Sequence, residues 1–214
     1  MILQAKKISK SIKGQMILSD IDLQLESGKI YGFVGRNGSG KTMLFRALSG
    51  LMKADTGEIS CDNNILHKDI SVLPNLGIVL ENAGLYPEFT GFKNLQMLSK
   101  MRNQISDEEI RKAIERVGLN PDDKRTFRKY SLGMKQRIVI AQAIMEKPDI
   151  IMLDEPTNAL DDNGVEEIRK IIMEEKERGA LILLASHNKE DIRLLADEIL
   201  YMQNGKIVDK VGEK

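Results

Sequence analysis

The first 26 residues carry a strand pattern. The stretch from Ile17 to Leu25 largely alternates apolar and polar side chains. A period of two residues is typical of antiparallel strands that bury one face, so residues 1–26 are predicted to form such strands. Turns and further short strands are expected at residues 55–60 and 63–66.

Four later segments are short, mostly apolar runs. Runs of this kind predict strands that are buried on both faces of a sheet. They occupy residues 29–34, 77–81, 149–153 and 180–186. Helical patterns accompany them, at residues 43–48, 161–178 and 188–197. This alternation of strand and helix predicts a parallel sheet with crossover helices.

The segment between Gly91 and Lys147 interrupts the alternation, because its hydrophobic period is mostly helical. Within it, residues 106–109 form a capping box, which marks the start of a helix. We therefore predict an inserted helical subdomain over residues 86–148.

The chain as a whole is expected to form one domain, residues 1–214. Residues 1–85 and 149–214 would supply a β subdomain and an α/β core around the inserted helices. Residues 199–208 are predicted to close the chain as a hairpin, because Asn204-Gly205 supplies the two positive φ angles of a type I′ turn.

Composition and charge narrow the possible functions. Lys plus Arg and Asp plus Glu both total 32, so no net basic field favours nucleic acid as a partner. The longest apolar stretches, such as residues 180–185, fall far short of the roughly 20 residues that span a bilayer. No secretory signal is recognised at the N-terminus. Cys61 is the single cysteine, which excludes an internal disulfide and fits a reducing cytoplasm.

The clearest chemical signal follows the strand predicted at residues 29–34. The phosphate-binding pattern G-x-x-x-x-G-K-[ST] is matched at every specified position by Gly35, Arg36, Asn37, Gly38, Ser39, Gly40, Lys41 and Thr42. Glycines let successive N–H groups point at an anion, and the following helix N-terminus adds partial positive charge. Lys41 is predicted to reach the β- and γ-phosphates of a nucleotide, and Thr42 to ligate Mg²⁺. The alternative is a glycine-rich turn that binds nothing.

A second signal closes the apolar run at residues 149–153. This run delivers Asp154 and Glu155 to the carboxyl end of a strand, the edge where open α/β sheets bind ligands. Asp154 is placed to hold Mg²⁺ through water, and Glu155 to orient a water for in-line attack on the γ-phosphate. Acids at this position also occur as simple helix caps, but the upstream phosphate-binding pattern favours the functional interpretation.

With these motifs in this order, nearly the whole chain resembles the ATP-binding subunits of ATP-binding-cassette transporters. The family's signature motif, L-S-G-G-Q followed by Q-R, is similar to residues 130–137, Tyr-Ser-Leu-Gly-Met-Lys-Gln-Arg. Four positions match this motif, Ser131, Gly133, Gln136 and Arg137, whereas Leu132 and Met134 depart from it. Ser131 is also expected to cap the following helix. The resemblance implies that this helix end meets the γ-phosphate held by a second subunit, in a head-to-tail dimer.

Two shorter matches extend the resemblance. Residues 158–161 are similar to the D-loop, which implies that Asp161 lies at the dimer interface. Ser186-His187 is similar to the family's switch motif, which implies that His187 contacts the γ-phosphate. The implied fold is a P-loop NTPase of the RecA-like α/β class, with a parallel-sheet core, an N-terminal antiparallel β subdomain and an inserted helical subdomain.

Three further positions depart from the family pattern. The family's Q-loop glutamine, a Mg²⁺ ligand, aligns with Glu81, and a carboxylate there still ligates Mg²⁺. Ile12 stands where many members stack an aromatic ring on adenine, so base stacking is expected to be weak. Met43 stands where a second hydroxyl commonly follows the first.

The resemblance implies a Mg²⁺-dependent ATPase at the cytoplasmic face of the cell membrane, which dimerises on ATP with a second copy or a paralogous ATPase subunit. Its other partner would be an integral membrane permease, whose coupling helix would dock on the aromatic-rich segment 82–92. The chain looks most like family members that export peptides, antibiotics or bacteriocins. One alternative is a soluble cassette ATPase acting on DNA or ribosomes, which the single cassette and the lack of heptads disfavour. Another alternative is a regulatory sensor that binds ATP without hydrolysing it, in which Glu155 would have no catalytic role.

Overall fold

The computed structural model describes residues 1–80, 84–102 and 104–212. Over these residues the chain forms ten strands: β1 Ile2–Ile12, β2 Gln15–Glu26, β3 Ile30–Val34, β4 Thr56–Cys61, β5 Asn64–Ile65, β6 Leu76–Val79, β7 Ile150–Asp154, β8 Leu181–Ala185, β9 Glu198–Gln203 and β10 Lys206–Gly212. The same residues form six α-helices: α1 Lys41–Ser49, α2 Gly91–Arg102, α3 Asp107–Arg116, α4 Leu132–Ile144, α5 Asp162–Glu177 and α6 Lys189–Leu195. Within these ranges, no helix is both long enough and apolar enough to cross a bilayer.

The strands form two sheets. The first is antiparallel, with the order β2-β1-β4-β5. The second has the order β10-β9-β3-β8-β7-β6, in which the five strands from β9 to β6 are parallel and β10 is antiparallel to β9. The antiparallel N-terminal strands and the parallel core agree with the sequence prediction.

The apolar runs of the parallel strands reflect burial on both faces of the sheet. In β7, Ile151 and Leu153 pack into one core cluster with α3, α4 and α5. Ile150 and Met152 point to the opposite face and pack with α1 and the antiparallel sheet. All four side chains are at most 1% exposed. A strand covered in this way has no polar face, which explains why its sequence does not alternate.

The helices α2, α3 and α4 lie between β6 and β7 in the chain. Ser106 forms the predicted capping box at the start of α3: its hydroxyl accepts from the Glu109 N–H at 3.3 Å, and its own N–H donates to the Glu109 carboxylate at 2.9 Å. Between α3 and α4, residues 117–131 form turns, irregular segments and the 3₁₀ turn Phe127–Lys129. The strand expected at residues 77–81 ends at Val79.

Candidate functional site

The residues predicted to bind and hydrolyse the nucleotide within one chain, which are the phosphate-binding pattern, Asp154, Glu155 and His187, gather at the carboxyl edge of three neighbouring parallel strands. The strand β3 leads into residues 35–42, β7 ends at Asp154, and β8 ends just before Ser186 and His187. Because these strands are adjacent in the order β3-β8-β7, segments that are distant in sequence meet at one edge.

Residues 35–42, called the phosphate loop below, connect β3 to α1. Gly38 and Gly40 adopt φ angles of 79° and 107°, which glycine reaches without strain. Gly35 has no room for a side chain, since a Cβ there would lie 2.5 Å from both the Met202 carbonyl and the Ser39 hydroxyl. That Ser39 hydroxyl is buried and has no hydrogen-bond partner among the described residues. A buried unpaired hydroxyl beside a helix N-terminus fits the oxygens of a phosphate.

Lys41 is the buried cation of the phosphate loop, with 7% of the residue exposed. Its ammonium donates to the carbonyl of Gly35 at 2.8 Å and to that of Arg36 at 3.5 Å. The tip of the loop, Arg36 to Gly38, is exposed. The lysine charge is therefore held within the loop, where an anion bound to the loop N–H groups would meet it.

Thr42 and Asp154 bring two oxygen groups together. The Thr42 hydroxyl donates a hydrogen bond to Oδ2 of Asp154. Asp154 is buried, with 7% of the residue exposed. Hydroxyl and carboxylate oxygens suit Mg²⁺, which usually takes one or two carboxylates together with phosphate oxygens and water. Among the described residues there is no cluster of three His, Cys, Asp or Glu side chains that would bind a metal alone. Glu81, the third predicted ligand, lies outside the described residues.

Glu155 and His187 form a close pair. The Glu155 carboxylate accepts from the His187 N–H, at 3.0 and 3.2 Å to its two oxygens, and lies 2.7 Å from Nδ1 of the same residue. The Glu155 side chain is 20% exposed and the His187 side chain 64% exposed. Glu155 has a φ of 53°, a left-handed conformation that costs about 1–2 kcal/mol for a residue with a β-carbon. Surrounding contacts must therefore hold this residue in place.

Gln136 supplies one such contact, which the motif match alone did not assign. Its side-chain amide, on α4, donates to the carbonyl of Pro156 at 3.0 Å and to that of Glu155 at 3.4 Å. A glutamine on a helix gives no sequence signal for this role, because the contact depends on how α4 packs against the end of β7.

Ser131, Gly133 and Asp161 line a second cleft. Ser131 caps α4 as predicted and Asp161 caps α5, each accepting the N–H of the residue three positions later, at 3.2 and 2.9 Å. A Cβ on Gly133 would lie 2.9 Å from the carbonyl of Ala159, so this position has little room for a side chain. Leu132 is 72% exposed beside them. The described residues that line this cleft include none from the phosphate loop.

The turn between β9 and β10 lies against the phosphate loop. The Gly205 N–H donates to the carbonyl of Ser39 at 2.9 Å, and residues 201–204 line a cavity together with residues 34–39. Asn204 and Gly205 have φ angles of 49° and 74°, as a type I′ turn requires. The Asn-Gly pair predicts the turn, but nothing in its local sequence indicates the contact with the loop.

The sheet order, the phosphate loop at its carboxyl edge and the separate cleft beside α4 define a P-loop cassette. Comparison with known proteins agrees. The model of the ABC transporter family matches residues 18–158. The uncharacterized ABC transporter ATP-binding protein YybJ of Bacillus subtilis (strain 168) is 48% identical over 206 residues, which cover 96% of this chain and 94% of that protein. The chain therefore belongs to the ABC transporter family.

Two further similarities extend this result. The bacitracin transport ATP-binding protein BcrA of Enterococcus faecalis is 36% identical over 213 residues, which cover 99% of this chain and 69% of that protein. The dimeric post-hydrolysis structure of the ATP-binding cassette MJ0796, bound to ADP and Pi, matches with a TM-score of 0.89 and 21% identity over 99% of both chains. The family resemblance and the cassette fold predicted from sequence are thus confirmed.

Proposed function

We propose that the chain is the ATP-hydrolysing subunit of a membrane transporter. The observation that carries this proposal is the Glu155 carboxylate, which lies 2.7 Å from Nδ1 of His187 at the sheet edge that also holds the phosphate loop. A carboxylate held by the N–H and side chain of a histidine suits the orientation of a water beside a bound triphosphate.

Nucleotide binding would use the phosphate loop. Its N–H groups and the N-terminus of α1 attract the phosphate oxygens. Lys41 would exchange its hydrogen bond with the carbonyl of Gly35 for the β- and γ-phosphates. Thr42 and Asp154 would hold Mg²⁺, which neutralises charge on the β- and γ-oxygens when bound.

Hydrolysis would use Glu155 as the base. Its carboxylate orients a water and accepts a proton from it, while the water oxygen bonds to the γ-phosphorus. The bond from that phosphorus to the β–γ bridging oxygen breaks, and ADP and Pi are the products. His187 holds the carboxylate through its N–H and can contact the γ-phosphate through its exposed ring.

A second cassette would complete the site. Ser131 and Gly133 mark the N-terminus of α4, which with its cap favours an anion. They line a cleft without phosphate-loop residues, so in one chain they stand apart from the nucleotide. In a head-to-tail dimer, each Ser131 would face the γ-phosphate on its partner, with Asp161 at the interface. The partner is a second copy or a paralogous ATPase subunit.

The transporter would be an exporter of peptides or antibiotics, with this subunit at the cytoplasmic face of the membrane. The proposal of this substrate class rests on the similarity to the bacitracin transport protein. An exposed aromatic pair is the proposed contact with the permease: Tyr86 and Phe89 are 55% and 37% exposed, with ring centroids 5.6 Å apart. Phe92, in contrast, packs against the core beneath Arg111.

The permease contact can be tested by co-purification. Tagged chain, mixed with detergent-solubilised membranes of its own cells, is expected to recover a polytopic membrane protein. Replacing Tyr86 and Phe89 together by Ser should lower this recovery at least about fivefold, because tyrosine is enriched among the interface residues whose truncation costs more than about 1 kcal/mol. ATP binding should stay unchanged. Recovery of ribosomes or DNA instead, insensitive to this change, would contradict the proposal and favour the soluble alternative.

We expect the nucleotide site to discriminate only weakly between the bases of ATP and GTP. Ile12 ends β1 opposite Gln15 and is 37% exposed. Ile17, on the neighbouring strand β2, lies beside the phosphate loop, since a Cβ on Gly40 would lie 3.2 Å from the Ile17 carbonyl. An aliphatic side chain there lacks the stacking that is worth about 1–3 kcal/mol per base on an aromatic ring.

In competition binding, GTP should therefore match ATP to within about threefold. Ile12→Tyr should tighten ATP binding by about tenfold, since 1.4 kcal/mol corresponds to a factor of 10. A strong preference of the unaltered chain for adenine would contradict this account of the base site.

A further inference from the structure

A buried polar network links the chain segments that carry the proposed catalytic pair. It consists of Thr157, Arg169 and Asp191, which are 8%, 7% and 0% exposed. The Thr157 hydroxyl donates to Oδ2 of Asp191 at 2.6 Å. Arg169 donates to Oδ1 of Asp191 through Nε at 2.8 Å and through Nη2 at 2.6 Å. Both oxygens of a fully buried carboxylate are thus bound by donors from two other segments.

Thr157 and Asp191 connect the segments that carry the two proposed catalytic residues. Thr157 follows Glu155 by two positions in the chain. Asp191 lies on α6, four positions after His187, and that helix is capped by Asn188. The hydrogen bond between Thr157 and Asp191 therefore ties the Glu155 segment to the helix that begins beside His187.

Arg169 adds a third segment to this tie. It lies on α5, the helix that Asp161 caps. Its guanidinium also pairs with Glu166 at 2.6 Å and with Glu190 at 3.3 Å. Burial by itself lowers the pKa of Arg169, but the hydrogen bonds to Asp191 and Glu166 outweigh burial, so the pKa is raised. The charge that holds Asp191 is therefore permanent.

The segment that Thr157 anchors is strained. Glu155 has a φ of 53° and Ala159 a φ of 65°, both left-handed conformations of residues with a β-carbon. Each costs on the order of 1–3 kcal/mol and persists only where surrounding contacts hold it. The Glu155 N–H donates to the carbonyl of Ala185 at 2.8 Å, and the Thr157 side chain secures the following turn from the α6 side.

The geometry assigns Thr157, Asp191 and Arg169 as positioning residues for the hydrolysis of ATP. The network fixes the Glu155 carboxylate against His187, and it ties both to the helix that Asp161 begins. This inference rests on the proposed function. A buried ion pair contributes little net stability compared with apolar residues of the same size, which favours a positioning role over a purely stabilising one.

The direct test is to remove the Thr157 hydroxyl. Thr157→Val keeps the side-chain shape but loses the donor to Asp191. We expect kcat for ATP hydrolysis to fall about tenfold, which corresponds to about 1.4 kcal/mol of transition-state energy. KM and the Kd of a fluorescent ATP analogue should change less than about twofold, because no nucleotide contact is removed. Thr157→Ser, which restores the hydroxyl, should recover kcat to within about twofold of the original value.

Arg169→Lys gives a second measurement, because it keeps the charge and loses the planar fork. It should lower kcat about threefold with KM unchanged. The matched control is Glu175→Gln on the same helix α5. The Glu175 side chain is 3% exposed and pairs with Arg116 and Arg178, away from the sheet edge. This variant should lower the unfolding temperature and leave kcat within about twofold of the original value.

Three results would overturn the inference. The first is an unaltered kcat in Thr157→Val, when the unaltered chain does hydrolyse ATP. That result would overturn the positioning role and leave the proposed function intact. The second is that Glu175→Gln lowers kcat as much as Thr157→Val does, at an equal loss of unfolding temperature. The network would then act on kcat only through the stability of the chain. The third is an unaltered chain that binds ATP but does not hydrolyse it, alone or with its permease. That result would overturn the proposed function as well.

Discussion

Glu155→Gln is expected to lower the rate of ATP hydrolysis at least about a thousandfold while leaving ATP binding intact, as general bases contribute about 10²–10⁴. The amide can still accept the hydrogen bond from the His187 N–H, which spans 3.0 Å to the carboxylate. It cannot accept a proton from the attacking water. Phosphate release and the Kd of a fluorescent ATP analogue, measured on the same preparation, separate the two effects.

Glu155→Asp is the informative companion variant. This variant keeps the carboxylate but withdraws it by one methylene from His187. We therefore expect a rate of ATP hydrolysis between that of the unaltered chain and that of Glu155→Gln. If Glu155→Gln instead hydrolysed ATP within about tenfold of the unaltered rate, Glu155 would not be the base, because so small a factor is below the usual contribution of one.

Lys41→Ala is expected to weaken ATP binding at least about thirtyfold and to abolish measurable hydrolysis, because it removes the positive charge that the β- and γ-phosphates require. The ammonium is held within the phosphate loop by the carbonyl of Gly35 at 2.8 Å, so its loss removes the buried cation of the loop and leaves only uncharged donors there, the backbone N–H groups and the Ser39 hydroxyl. Equilibrium binding of ATP with Mg²⁺ measures the effect.

Lys176→Ala is the matched control for Lys41. Its ammonium pairs with Asp197 at 2.5 Å, and its side chain is 24% exposed on α5. The change should reduce stability slightly and leave ATP affinity within about twofold. Unaltered ATP affinity in Lys41→Ala would refute the assignment of the phosphate loop.

The parts of the fold that could be predicted were those that local sequence encodes. The apolar run from Ile150 to Leu153 indicates a strand that is buried on both faces, because each side chain must avoid water regardless of its exact partners. Ser106 and Ser131 reveal helix starts through their hydroxyls, and Asn204-Gly205 reveals a turn, because capping and positive φ act over a few residues.

The parts that could not be predicted depend on contacts between elements. Gln136 on α4 reaches the carbonyls after β7, and Thr157 reaches Asp191 across 34 positions of sequence. A single polar residue adds nothing to the hydrophobic periodicity of the sequence. Its hydrogen-bond partner therefore becomes known only from the packing of the helices and strands. The roles of the site residues stay predictions, as do the subdomain boundaries and the role of Glu81.

In the proposed mechanism, one chain holds two separate halves of a nucleotide site. Its phosphate loop lies at the carboxyl edge of the parallel sheet, while Ser131 and Gly133 line another cleft. Catalysis would then need the phosphate loop of one chain and the capped α4 of another. A variant that binds ATP without consuming it should hold the two chains together.

The most direct test is the molar mass of Glu155→Gln measured by light scattering with and without ATP and Mg²⁺. We expect a mass of 24.1 kDa without nucleotide and of about 48 kDa, twice the chain mass, with it. Adding Ser131→Arg to the same variant should return the mass to 24.1 kDa while ATP still binds. A mass of 24.1 kDa for Glu155→Gln with ATP fully bound would contradict a site completed by a second copy.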